Sequence, residues 1–133
     1  ILAKIQANAA GADDAIMLDL RGFIAETNAT HLFIMDGDLL LTPTLAACPE
    51  GITRRTVLDI CRLQSIDCEV RDVSLTELYR ADEVFCTGTM GELAGVTWVD
   101  GRTIGDGNIG PMTRRLSAVY AERTAAGGTR VVG

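Results

Sequence analysis

From Ala15 to Leu41 the apolar residues come in short bursts, Ala15-Ile16-Met17-Leu18, Phe23-Ile24-Ala25, Leu32-Phe33-Ile34-Met35 and Leu39-Leu40-Leu41, each broken by polar or glycine-bearing residues. Runs of this length, bounded by turn residues, predict strands rather than helices. Strands are expected over Ala15–Asp19, Phe23–Asn28 and Thr30–Met35, with Asp36-Gly37-Asp38 as a hairpin turn before Leu39-Leu40-Leu41. Together they predict an antiparallel meander, ended by Thr42-Pro43. Before it, Leu2, Ile5 and Ala9 share one face of a helix over Ile1–Asn8 that stops near Gly11. After it, Val57, Leu58, Ile60, Cys61 and Leu63 recur at helical spacing and predict a helix over Ile52–Gln64. Cys68–Val73 alternates as a strand, and Ser74-Leu75-Thr76-Glu77 opens a short helix with a capping box. Glu83-Val84-Phe85-Cys86 is a buried-type strand running into Thr87-Gly88-Thr89. Leu93–Val99 and Arg102–Ile104 flank a second hairpin turn, Asp100-Gly101, and a helix over Gly110–Thr124 leads into a glycine-rich, frayed tail. The expected fold class is α/β (α+β): one domain with a curled, largely antiparallel sheet or pseudo-barrel packed by helices.

Composition narrows this picture. A chain of 133 residues with 47% hydrophobic residues can bury one substantial core. A net charge of −6 and the lack of any Lys/Arg run argue against nucleic acid or an anionic membrane as partner. No apolar run reaches the length of a membrane span. Cys48, Cys61, Cys68 and Cys86 form no CxxC pair and show no metal-ligand spacing with His31, the single histidine, so reduced thiols in the cytoplasm and no metal site are expected. Of the twelve basic residues only Lys4 is lysine.

Three places carry candidate chemistry. Glu26 lies between apolar flanks that would bury much of it, and a buried carboxylate needs a partner, so something cationic should meet it. Gly51-Ile52-Thr53-Arg54 sets a glycine, two free backbone N–H groups and a hydroxyl at a helix mouth, an anion site by geometry and dipole, although glycine and threonine there also serve as plain helix caps. Thr87-Gly88-Thr89 offers further N–H and hydroxyl donors after a buried strand, or a simple turn. The set fits a ligand with phosphate at one end and a cationic ring nitrogen at the other.

The segments GFIAETNATHLF, GITRRTVLDI, ELYRADEVFCTGTMGEL and VTWVDGRTIGDGNIGPMTRRL resemble, in order and spacing, the class IV (fold type IV) pyridoxal-phosphate aminotransferases, and most of all the branched-chain amino acid aminotransferases. The resemblance covers essentially the whole chain. It implies that Glu26 pairs with the protonated pyridine nitrogen of pyridoxal 5′-phosphate, that Ile52 and Thr53 hold the phosphate at the helix mouth, and that Gly88 and Thr89 complete the phosphate site, Thr89 through its hydroxyl. It also implies amino acid and 2-oxo acid substrates and a homodimer in the intact enzyme. Arg54 follows in the motif and reads equally as a solvated helix residue.

This sequence departs from the family pattern at several points. His31 stands where asparagine is usual and reads as a satisfied strand histidine. Gly95 replaces a proline, and Met90 a smaller residue. The family's chemistry needs a lysine that joins the cofactor aldehyde, and Lys4 matches a second, non-catalytic lysine. The expectation is therefore a C-terminal cofactor-binding domain, residues 1–133, truncated after the catalytic lysine, with no catalytic residue of its own. A D-amino acid aminotransferase fragment, an aminodeoxychorismate lyase fragment, and a non-catalytic domain that binds a phosphorylated ligand or a protein are the alternatives.

Overall fold

The computed structural model describes residues 1–88 and 92–127. Its centre is a five-stranded sheet in the order β5-β4-β3-β6-β7. Here β3 is His31–Asp36, β4 Leu39–Thr42, β5 Cys68–Val70, β6 Glu83–Gly88 and β7 Glu92–Val96. All neighbours are antiparallel except β4 and β5. Two small ribbons stand beside it: β1 (Ile16–Leu18) with β2 (Ile24–Thr27), and β8 (Trp98–Val99) with β9 (Arg102–Thr103). The helices are α1 (Leu2–Ala9), α2 (Ile52–Leu63), α3 (Leu75–Arg80) and α4 (Pro111–Ala126). The α+β class and the mainly antiparallel sheet are as expected, and the helix bounds agree within two residues.

The expected single meander is corrected in two respects. It breaks after β2, because Thr27 and Thr30 close a tight turn on themselves, with Thr27 N–H donating to the Thr30 carbonyl at 2.9 Å and the two hydroxyls 2.6 Å apart. β3 then takes β6, not β2, as its neighbour. The described strands form three separate sheets, so no barrel closes.

β3 explains its own sequence. Leu32 and Ile34 point into one core with Ile24, Leu41, Val73, Leu78 and Val84. Phe33 and Met35 point into a second with Leu40, Val57, Ile60, Leu116 and Tyr120. A strand covered on both faces cannot alternate polar with apolar, hence the unbroken apolar run. Phe33 and Phe85 are direct cross-strand partners, both fully buried, with parallel rings 5.0 Å apart at their centroids.

The turns are built from local chemistry. Asp100 and Gly101 both have positive φ (48° and 78°), the geometry of a type I′ hairpin between β8 and β9. Ser74 and Glu77 form the expected reciprocal capping box. α4 begins at Pro111, with no cap from its own N-cap residue, Gly110. Instead the Glu83 carboxylate on β6 accepts from Met112 N–H (2.9 Å), Thr113 N–H (2.8 Å) and the Thr113 hydroxyl (2.8 Å). A side chain at residue 110 would strike that carboxylate, with Cβ only 2.0 Å from Glu83 Cδ, so a larger residue there would have to push the cap aside.

Replacing Glu83 with Ala strips α4 of three charge-assisted bonds and is expected to cost about 2 kcal/mol of stability in urea denaturation. Acid should act through Glu77. The Arg71 guanidinium, 2.7 Å away, and the Ser74 backbone and hydroxyl donors hold its carboxyl at about 2, below its ordinary 4.5. The depressed carboxyl contributes stability above pH 4.5 that is lost as pH falls toward 2. Glu77→Gln should therefore flatten the fall in melting temperature across that window.

Candidate functional site

Glu26 sits in β2 with its side chain 21% exposed, and His31 opens β3 with its side chain 11% exposed. The turn between them folds the chain back so that His31 Nε2 lies 3.9 Å from Glu26 Oε2. No described donor makes a closer bond to that carboxylate. Its acceptor sites stay open inside a half-buried setting.

The imidazole also reaches the start of α2. Its Nε2 is 2.7 Å from the Pro49 carbonyl, and a carbonyl only accepts, so Nε2 carries the proton and donates. Gly51, the residue before the helix, has φ 71°, and a Cβ there would lie 2.4 Å from His31 Cε1. The His31 imidazole thus stands against both the Glu26 carboxylate and the residue that precedes α2.

No side chain caps α2. Ile52 is exposed, so what it can offer a ligand is its backbone N–H, whereas Thr53 is buried. Uncapped N–H groups at the positive end of a helix dipole suit an anion. Arg54 is not solvated, as one expectation had it. It is 3% exposed, with Nη2 donating to the Pro43 carbonyl at 3.0 Å and Nε to the Thr42 hydroxyl at 3.4 Å. Burial pulls its pKa below the ordinary arginine value. A buried cation in the first turn of a helix works against the dipole, yet it adds positive potential where the N–H groups already attract an anion. Nearby Glu50 is paired with Arg55 instead.

The third segment comes from β6. Thr87 pairs with His31 in the sheet register, and its hydroxyl donates to the His31 carbonyl at 3.5 Å. Gly88 follows, packed against Thr30 so closely that a Cβ would fall 2.8 Å from Thr30 Cγ2. Thr89 and Met90 lie outside the described residues. Glu26, Gly51, Ile52, Thr53 and Gly88 are therefore gathered about His31 by three chain segments.

Sequence reasoning missed Cys48. Donor atoms of Glu26, His31 and Cys48 all lie within 4.8 Å of one another, a convergence that linear spacing could not reveal. Burial, with Glu26 adding to it, pushes the Cys48 thiol up from its ordinary value, so the thiol stays protonated and uncharged beside the carboxylate. All four cysteines are free. Lys4 is used elsewhere, its ammonium donating to the Asp13 carbonyl beyond the end of α1. Among the described residues, no helix is long and apolar enough to cross a membrane.

Comparison with known proteins follows the same lines. Residues 1–99 match the family model described as Amino-transferase class IV. The chain is 50% identical over 131 residues to Branched-chain-amino-acid aminotransferase-like protein 2 of Arabidopsis thaliana, covering 98% of this chain and 23% of that protein. It is 36% identical to the putative branched-chain-amino-acid aminotransferase of Methanocaldococcus jannaschii, covering 98% of this chain and 46% of that one. It therefore spans less than half the length of these relatives. The branched-chain amino acid aminotransferase from Escherichia coli superimposes with a TM-score of 0.89 at 31% identity, over 99% of this chain and 45% of that chain. The crystal structure of the enzyme from Thermobaculum terrenum in its PLP-form gives 0.86 at 35% identity, over 91% and 40%. A family match over most of the chain, joined to a shared fold at this level of identity, shows that the chain belongs to the class IV aminotransferases.

Proposed function

We propose that this chain is the cofactor-holding part of a branched-chain amino acid aminotransferase, which moves an amino group between a branched-chain amino acid and 2-oxoglutarate by means of pyridoxal 5′-phosphate. The observation that carries this reading is the convergence on His31 of a Glu26 carboxylate that no described donor bonds and the uncapped mouth of α2. The residues fit the group: a carboxylate for a cationic ring nitrogen at one end, and backbone N–H groups backed by the buried Arg54 for a phosphate at the other. When bound, the cofactor supplies an electron sink for amino transfer.

The protein's own part is to bind and orient. Glu26 holds a proton on the ring nitrogen by pairing with its charged form. The N–H groups of Ile52 and Thr53 hold the phosphate, and Gly88 adds its backbone N–H, its lack of a side chain being set by the close packing of Thr30. Thr89, by the family resemblance, adds its hydroxyl to the phosphate. In this reading residues 1–133 form a C-terminal cofactor-binding domain, and the lysine that joins the cofactor and moves the proton lies upstream of Ile1. The intact enzyme is read as a cytoplasmic homodimer. Four free thiols support the compartment. The exposed apolar side chains of Leu2, Ile5, Leu20 and Trp98 support a covering partner surface.

Glu26→Gln keeps the shape of the side chain and removes the charge. It should weaken pyridoxamine 5′-phosphate binding by about tenfold or more, about 1.4 kcal/mol, in calorimetric titration with little change in melting temperature. Equal affinity in parent and variant would remove Glu26 from the site. Given leucine and 2-oxoglutarate with pyridoxal phosphate, the chain alone should not turn over. Borohydride reduction should leave no pyridoxyl group on Lys4 by mass spectrometry, and stoichiometric labelling of Lys4 with activity lost in Lys4→Ala would reverse the assignment.

A further inference from the structure

We propose that His31 is a positioning residue for this same site: its Nε2–H fixes the Pro49–Gly51 segment so that the mouth of α2 faces Glu26. The proposal rests on the cofactor reading above. His31 touches all three segments that form the site. Its side chain donates to the Pro49 carbonyl at 2.7 Å, its ring occupies the space that a Cβ of Gly51 would need, and its backbone is paired with Thr87, one residue before Gly88.

Which ring nitrogen faces the Pro49 carbonyl decides what the histidine does. With Nε2–H committed to the Pro49 carbonyl, the ring makes no hydrogen bond to Glu26 at 3.9 Å, and the carboxylate stays available to a cation from outside. His31 thereby organises the phosphate end without spending a hydrogen bond on Glu26. Gly51 is constrained from two sides, by its φ of 71° and by a ring that would lie 2.4 Å from any Cβ. The segment leading into α2 is short and exposed at Pro49 and Glu50, and no described side chain caps the helix. The imidazole is thus a side-chain tie between this segment and the central sheet.

Reach distinguishes this role from mere packing. A glutamine amide nitrogen extends from Cβ about as far as Nε2 of histidine, whereas an asparagine amide nitrogen stops near the position of Nδ1. His31→Gln can keep the bond to Pro49. His31→Asn cannot at this backbone position, and His31→Leu fills space without a donor.

The test titrates the purified chain with pyridoxamine 5′-phosphate, with inorganic phosphate and with phosphate-free pyridoxamine, and records a melting curve for each variant. His31→Leu and His31→Asn should bind the two phosphate-bearing probes about tenfold more weakly than the parent, His31→Gln within about threefold of it, with pyridoxamine binding unchanged in all three. The proposal is overturned if His31→Leu binds like the parent, if His31→Gln loses as much as His31→Leu, or if the losses follow the melting temperature or extend equally to pyridoxamine. A parent chain that binds none of the probes refutes the cofactor reading itself, and with it this one. A parent that binds while the variants do not differ refutes the positioning role alone.

Discussion

The pairing of β3 with β6 is the constraint on which the rest of this structure depends. It stacks Phe33 on Phe85 at the centre of the sheet and divides the apolar residues into two cores, one on each face. It also sets His31 opposite Thr87, which brings the end of the β2–β3 turn beside the end of β6. A slip of one residue would exchange the two faces and carry Gly88 away from Thr30. The packing that stabilises the sheet and the register that gathers the site are one interaction.

Around that centre the helices are tied to the strands by polar side chains. Glu83 leaves β6 to hold the first turn of α4, and Arg54 leaves the first turn of α2 to hold the end of β4. Each satisfies groups that would otherwise be costly to bury. The mouth of α2 is treated differently. No side chain closes it, and beside it stand a charged guanidinium and an open carboxylate. α3 and α4 are capped by side chains, through Ser74 and Glu83, whereas the mouth of α2 keeps its first N–H groups free.

Much of this was legible in the chain. The 3.6-residue period of α2, the Ser74–Glu77 capping box and the Asp100-Gly101 turn are local signals, and each was realised within two residues. Glu26, the Gly51–Thr53 segment and Gly88 could be singled out because an acid among apolar residues, a glycine before a helix and a glycine after a strand are unusual in composition. Partnership was not legible. Nothing near His31 says that its strand will pair with residues more than fifty positions away, or that β2 will abandon β3 for a ribbon of its own, because both outcomes follow from which apolar faces finally meet. Arg54 was misread for the same reason: an arginine beside a second arginine looks solvated until the Pro43 carbonyl that receives it is in place. Cys48 joins Glu26 and His31 only through a loop whose path no periodicity encodes.

The order of the chain also bears on how the molecule comes together. The β3–β4 hairpin and α2 are built from near neighbours and can form early, whereas β6 must close a loop of roughly fifty residues before it reaches β3, and long loops slow folding through their entropy. Glu26, His31 and Gly51 sit on the early side of that closure, and Gly88 arrives only with β6. Half of the site can therefore exist before the sheet is complete, and the other half cannot. A ligand that needs both halves would act as a clamp on the slowest step, favouring the closed chain over every earlier intermediate.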